Sequence, residues 1–108
     1  GLVVLADSLK QRADARHVFV TLSAEGILIH SPDAPSGLIT DRLPSFNSAP
    51  KDVSGAGDCL LTCSSMALAV GADVWQSGYL GSLAAACQVS RIGNLPLTAD
   101  DLLKELYR

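Results

Sequence analysis

The sequence predicts an α/β fold, a single domain in which helices back a few short strands. Three observations carry that reading: apolar residues at helical spacing over 2–13, two β-branched runs joined by a tight turn over 17–30, and an almost uncharged stretch over 57–70 that opens on glycines. A chain of 108 residues forms one domain with a modest core and has no room for two. Its 48% apolar content and positive mean hydropathy belong to a folded chain.

Leu2, Leu5, Ala6, Leu9 and Ala13 share one helical face, with Lys10, Gln11 and Arg12 turned outward, so a scaffold helix is expected there. His17 to Leu22 is β-branched and aromatic, and Gly26 to His30 reads as a second short strand. A tight turn at Ala24-Glu25-Gly26 makes the two a hairpin, and both histidines, at element ends without metal-like spacing, are expected at the surface. Pro32, Asp33, Pro35, Ser36 and Gly37 mark a loop. A further strand over Leu38 to Leu43 is ended, or confined to an edge, by Pro44, and Ser45 to Lys51 is a second loop.

From Gly57 to Val70 the chain is apolar or small all round, which predicts a central, buried helix with Gly71 as its stop. Asp73 can N-cap the next helix, which runs from Val74 to about Val89. Its Gly78, Gly81, Ser82 and Ala84 to Ala86 allow either close helix packing or the approach of a flat ligand. Ser90 to Leu97 is a turn-rich loop, and Thr98 with Asp101 approximates a capping box for a last helix that buries Leu102, Leu103 and Leu106.

A net charge of −3 and a pI of about 5.1 give none of the basic surface that nucleic acid needs. The run Cys59 to Ala72 is about 14 residues, too short to span a bilayer, so no membrane partner is expected. Cys59, Cys63 and Cys87 lack CxxC spacing and read as packed thiols, in keeping with a reducing, cytoplasmic setting.

The one stretch with chemistry in it is Asp52-Val53-Ser54-Gly55-Ala56-Gly57-Asp58. Its glycines admit close approach of a ligand, and the helix behind them opens on unpaired N–H groups at the positive end of a dipole. Together these form an anion cradle. A carboxylate beside it repels the anion unless it has a task, and the natural task for Asp58 is general base toward a substrate hydroxyl. Rival motifs drop out. Leu60 stands where a dinucleotide fingerprint needs its third glycine, Asp58 follows Gly57 where a P-loop needs lysine, and Asp52 occupies the first glycine of a nucleophile elbow. The plain alternative is a helix entry capped by Ser54 or Asp58.

This run resembles the Asp-Thr-x-Gly-Ala-Gly-Asp signature of the ribokinase-like (PfkB) carbohydrate kinases. The likeness extends from the Thr21-Leu22-Ser23-Ala24-Glu25-Gly26 hairpin to Ser90-Arg91-Ile92-Gly93, nearly the whole chain. Members of that family are much longer. The resemblance therefore implies that residues 1–108 are the nucleotide-side C-terminal portion of a three-layer α/β/α kinase domain, inactive without the part that holds the sugar. It implies ATP-dependent phosphorylation of a sugar or sugar-phosphate hydroxyl, with Asp58 as base and the Gly55, Ala56 and Gly57 amides as anion hole. ATP and Mg²⁺ are the implied cofactors. Thr21 and Gly26 match the hairpin turn near the nucleotide phosphates, where Ser23 replaces a glycine; Thr21 as a plain strand residue is the alternative. Ser82 matches a position beside the adenine pocket that often holds asparagine. Asp52, Ser54 and Gly93 match a K⁺ site found in some members. Val53 in place of threonine resembles the heptose-phosphate kinase branch, and a homodimer of the parent enzyme is an option. Two other readings stay open: a non-catalytic module for anion binding or self-association, and a kinase of a nucleoside or vitamin-precursor alcohol.

Overall fold

The computed structural model describes residues 1–33, 39–46, 55–89 and 97–107. Their order is α1 (Leu2–Ala13), β1 (Val18–Thr21), a single 3₁₀ turn (Ser23–Glu25), β2 (Ile27–His30), β3 (Thr40–Leu43), α2 (Ala56–Ala69), α3 (Val74–Val89) and α4 (Ala99–Leu106). The strands form an antiparallel sheet in the order β1-β2-β3. β1 and β2 are the expected hairpin, with Thr21 opposite Ile27 and Val18 opposite His30. In β3, Leu43 faces Ile27 and Thr40 faces His30. This strand ends one residue before Pro44, which has no N–H to give a ladder.

All four residues of β2 are buried, so this strand is covered on both faces. Alternation sends Ile27 and Ile29 to one of them, where they join Leu43, Leu60 and Val74, with Phe19, Trp75 and Ala85 packed around the cluster. Each large side chain buried here contributes roughly 2 kcal/mol. α3 lies directly on this face: a Cβ added to Gly78 would stand 2.6 Å from Ile29 Cδ1. α1 covers the other face through the fully buried Ala6. The layers are therefore α1, the sheet, then α3 with α2 against it.

α2 and α3 approach closely because α3 carries glycine at the contact. A Cβ on Gly81 would lie 2.9 Å from the Leu60 carbonyl oxygen and 3.1 Å from Ser64 Cβ. At Gly78 and Gly81, helix packing is thus what the small residues serve. The caps hold as expected. Gly71 stops α2 at φ 98°. The Asp73 carboxylate accepts from the Gln76 N–H at 2.7 Å, and Thr98 and Asp101 form a reciprocal capping box.

Three expectations fail on burial. α2 is not a central buried helix: Leu60, Ser64 and Ala67 are interior, while Leu61, Met66 and Val70 are exposed. In α1 only Ala6 is buried and Leu2, Leu5 and Leu9 stay exposed; α4 buries none of its residues. An apolar face is buried only where an opposing element covers it, and the described residues cover these faces only in part. His30 is the third correction. At 4% exposure it is interior, because a strand covered on both sides offers no outward position. Its Nδ1 is 2.7 Å from Thr40 Oγ1 and its Nε2 is 3.4 Å from Asp7 Oδ1. His17 is half-buried, with Nδ1 2.7 Å from Ser31 Oγ.

Candidate active site

Gly55 is the N-cap of α2, held in the left-handed region at φ 77°, with no side-chain cap. The first backbone donor inside the helix is Cys59, whose N–H reaches the Gly55 carbonyl at 2.9 Å. The amides of Ala56, Gly57 and Asp58 precede that bond and have no acceptor within the helix. Gly57 is exposed, and a Cβ placed on it would meet nothing within 4 Å, so this end of the helix is open to approach. Asp58 sits in the same turn, exposed, with no hydrogen bond or ion pair to the described residues. One turn therefore offers unpaired donors, the positive end of a helix dipole and a carboxylate that can take a proton.

The remaining candidates divide between two other elements. Thr21 ends β1 and is exposed. Gly26 is buried at φ 96°, and a Cβ on it would collide with the Leu43 carbonyl oxygen, so the sheet itself demands glycine there. Ser23, the residue in the glycine position of the family turn, has φ 55°. Ser82 lies in α3, next to Gly81 and hence near the Leu60 turn of α2; it is 8% exposed and its Oγ has no hydrogen-bond partner among the described residues. The Oγ of the fully buried Ser77, also in α3, is likewise without a partner, so the orphaned hydroxyl does not by itself single out Ser82. Asp52, Ser54 and Gly93 lie outside the described residues. Among those described, no three His, Cys, Asp or Glu side chains group as a metal site, and no helix is long and apolar enough to cross a membrane.

Pattern reading misses Arg42. Its Nε and Nη2 both donate to the Glu25 carbonyl, at 3.2 and 2.9 Å, which ties β3 to the hairpin turn. The only sequence signal is an arginine on the strand that follows the hairpin. The cysteines behave as packed thiols without disulfides, and burial, with Cys59 adding to it, pushes the Cys63 thiol up.

No family model matches the chain. By sequence it is similar to the Bifunctional protein HldE of Paramagnetospirillum magneticum, 31% identical over 107 residues, which is 99% of this chain and 21% of the relative. The HldE protein of Shewanella sediminis is 29% identical over 105 residues, 97% of this chain and 21% of the relative. Among solved structures, ribokinase from Thermotoga maritima superposes with a TM-score of 0.83 at 22% identity, covering 100% of this chain and 35% of that one. Phosphofructokinase-2 from Escherichia coli, solved in complex with potassium, gives 0.81 at 20% identity, covering 98% and 33%. The chain thus spans about a fifth of the HldE relatives and about a third of these kinases. Its fold is that of a portion of a ribokinase-like sugar kinase, which bears out the α/β fragment expected from the motif and its flanks.

Proposed function

We propose that this ribokinase-like segment supplies the catalytic base and the nucleotide side of an ATP-dependent kinase acting on a sugar or sugar-phosphate hydroxyl. The observation that carries the reading is the first turn of α2, where uncapped amides and the exposed Asp58 stand together behind a left-handed glycine. Its relatives support it: the ribokinase of Arabidopsis thaliana, TM-score 0.76 over 95% of this chain and 33% of that one, was solved with ribose and ATP. Asp58 would take the proton of the acceptor hydroxyl as the oxygen attacks. The amides of Gly55, Ala56 and Gly57 would hold the charge on the transferring phosphoryl group, donors already in place before the reaction. ATP supplies the phosphoryl group and Mg²⁺ accompanies it. Thr21 and Gly26 would border the phosphates, and the orphaned Ser82 hydroxyl would meet the nucleobase. A K⁺ site on Asp52, Ser54 and Gly93 belongs to the same proposal. The exposed apolar faces of α1 and α2 suit docking of the sugar-holding part, without which the segment is inactive.

The test is Asp58→Asn, assayed on the full-length protein against a panel of sugars and sugar phosphates. The melting temperature and its rise with Mg·ATP should persist, because a ligand that binds only the folded state still stabilises it. Turnover should fall by roughly a thousandfold. Unchanged turnover would sink the kinase reading, and absence of any Mg·ATP shift in the parent protein would favour a module without nucleotide chemistry.

A further inference from the structure

The hairpin turn between β1 and β2 is built under strain and held from outside. Ser23 takes φ 55°, a left-handed value that a side chain resists. Within the turn, Glu25 N–H reaches the Leu22 carbonyl at 3.1 Å, Gly26 N–H reaches the Ser23 carbonyl at 3.1 Å, and Leu22 N–H reaches the Gly26 carbonyl at 2.7 Å. Ser23 and Glu25 are exposed, so little packing supports them. What does support them is β3. The Leu43 carbonyl closes on Gly26, leaving no space for a side chain, and the neighbouring Arg42 points both Nε and Nη2 at the Glu25 carbonyl.

From this we infer that Arg42 is a positioning residue for nucleotide binding: its guanidinium clamps the Ser23–Glu25 turn in the shape that presents Thr21 and the turn backbone to the phosphates. The inference rests on the kinase reading above for the ligand, and on hydrogen bonds alone for the clamp. A planar fork with two donors on one acceptor is something lysine cannot reproduce. The clamp is needed because the position is serine. Glycine at residue 23 would adopt the same φ without strain, and the turn would then hold with or without Arg42.

The test uses Arg42→Ala, Arg42→Lys and the double variant Arg42→Ala with Ser23→Gly, in the full-length protein. Two readouts are taken: amide hydrogen exchange at Glu25 and Gly26, and the dissociation constant for Mg·ATP. Both single variants should speed exchange at those amides and weaken Mg·ATP by about fivefold, a modest effect suited to an exposed hydrogen bond. The KM for the sugar should not move, and the double variant should recover both readouts. Because Arg42 is exposed, the melting temperature serves as the check that folding is intact. Faster exchange with unchanged Mg·ATP affinity would overturn the positioning role and leave the kinase reading standing. Unchanged exchange would overturn the clamp. A parent protein that binds no Mg·ATP would sink the kinase reading, and the positioning role with it.

Discussion

Gly55 and Ser23 occupy the same corner of backbone space, at φ 77° and φ 55°, in two turns that are held by different means. At Gly55 the absent side chain removes the left-handed penalty outright, and among the described residues no side chain caps α2. Ser23 carries a penalty of about 1 kcal/mol, which its turn meets with three internal hydrogen bonds and a guanidinium borrowed from β3. What each turn must keep is its backbone shape. Residue identity is one way to secure that shape and external bonding is another.

The sharpest way to break the comparison is at Gly26, which combines φ 96° with a neighbouring carbonyl that excludes any Cβ. Gly26→Ala should cost about 3 kcal/mol or more, read as a fall in the urea midpoint, since neither cause can be relieved without moving β3. Next come the two left-handed positions themselves, which should respond with opposite sign. Gly55→Ala should destabilise by about 1 kcal/mol, while Ser23→Gly should stabilise by about 0.5 kcal/mol, the relief of strain being partly offset by the freer unfolded chain. Equal signs in the two denaturation curves would mean that these turns are not held differently.

The smallest effect separates a charged tether from a neutral one. Arg16 and Asp33 form a forked pair after α1, and the Arg16 guanidinium holds the Asp33 carboxyl below its ordinary value. A lowered folded value means stability that is present above the ordinary carboxylate range, near about pH 4, and is lost as the pH falls through the folded value. The gap in melting temperature between the parent and Asp33→Asn should therefore be small at neutral pH and close in acid. For Arg42→Ala the gap should stay flat over the same range, because a carbonyl acceptor does not titrate.

Much of this was legible beforehand because it is local. Turn residues and caps act on their immediate neighbours, so the hairpin, the Gly71 stop, the Asp73 cap and the Thr98–Asp101 box could be read from spacing. The uncapped start of α2 behind the left-handed Gly55 was legible for the same reason, since helix polarity and glycine freedom are properties of a few consecutive residues. Burial was not, because it depends on what lies opposite. The apolar runs of α1 and α2 look identical in sequence whether or not a partner covers them, and the exposure of Leu61 and Met66, 64% each, records its absence from the described residues. His30 was misplaced for a related reason: a four-residue strand is too short for alternation to show that both faces are covered. Arg42 was invisible because a side chain bonded to a distant carbonyl leaves no periodic trace.

The short link between α2 and α3 bears on how the chain reaches this structure. Val70 to Asp73 closes the helical pair with a loop of four residues, and so little chain costs little entropy to close. The β1–β2 hairpin is equally local. Seating Gly78 of α3 on Ile29 of β2 is not: it must gather the whole intervening chain before any contact repays that loss. The two hairpins should therefore come first, and the rate of folding should be set by their docking. On that view the glycine at 78, small enough to let the layers meet, governs kinetics as much as fit.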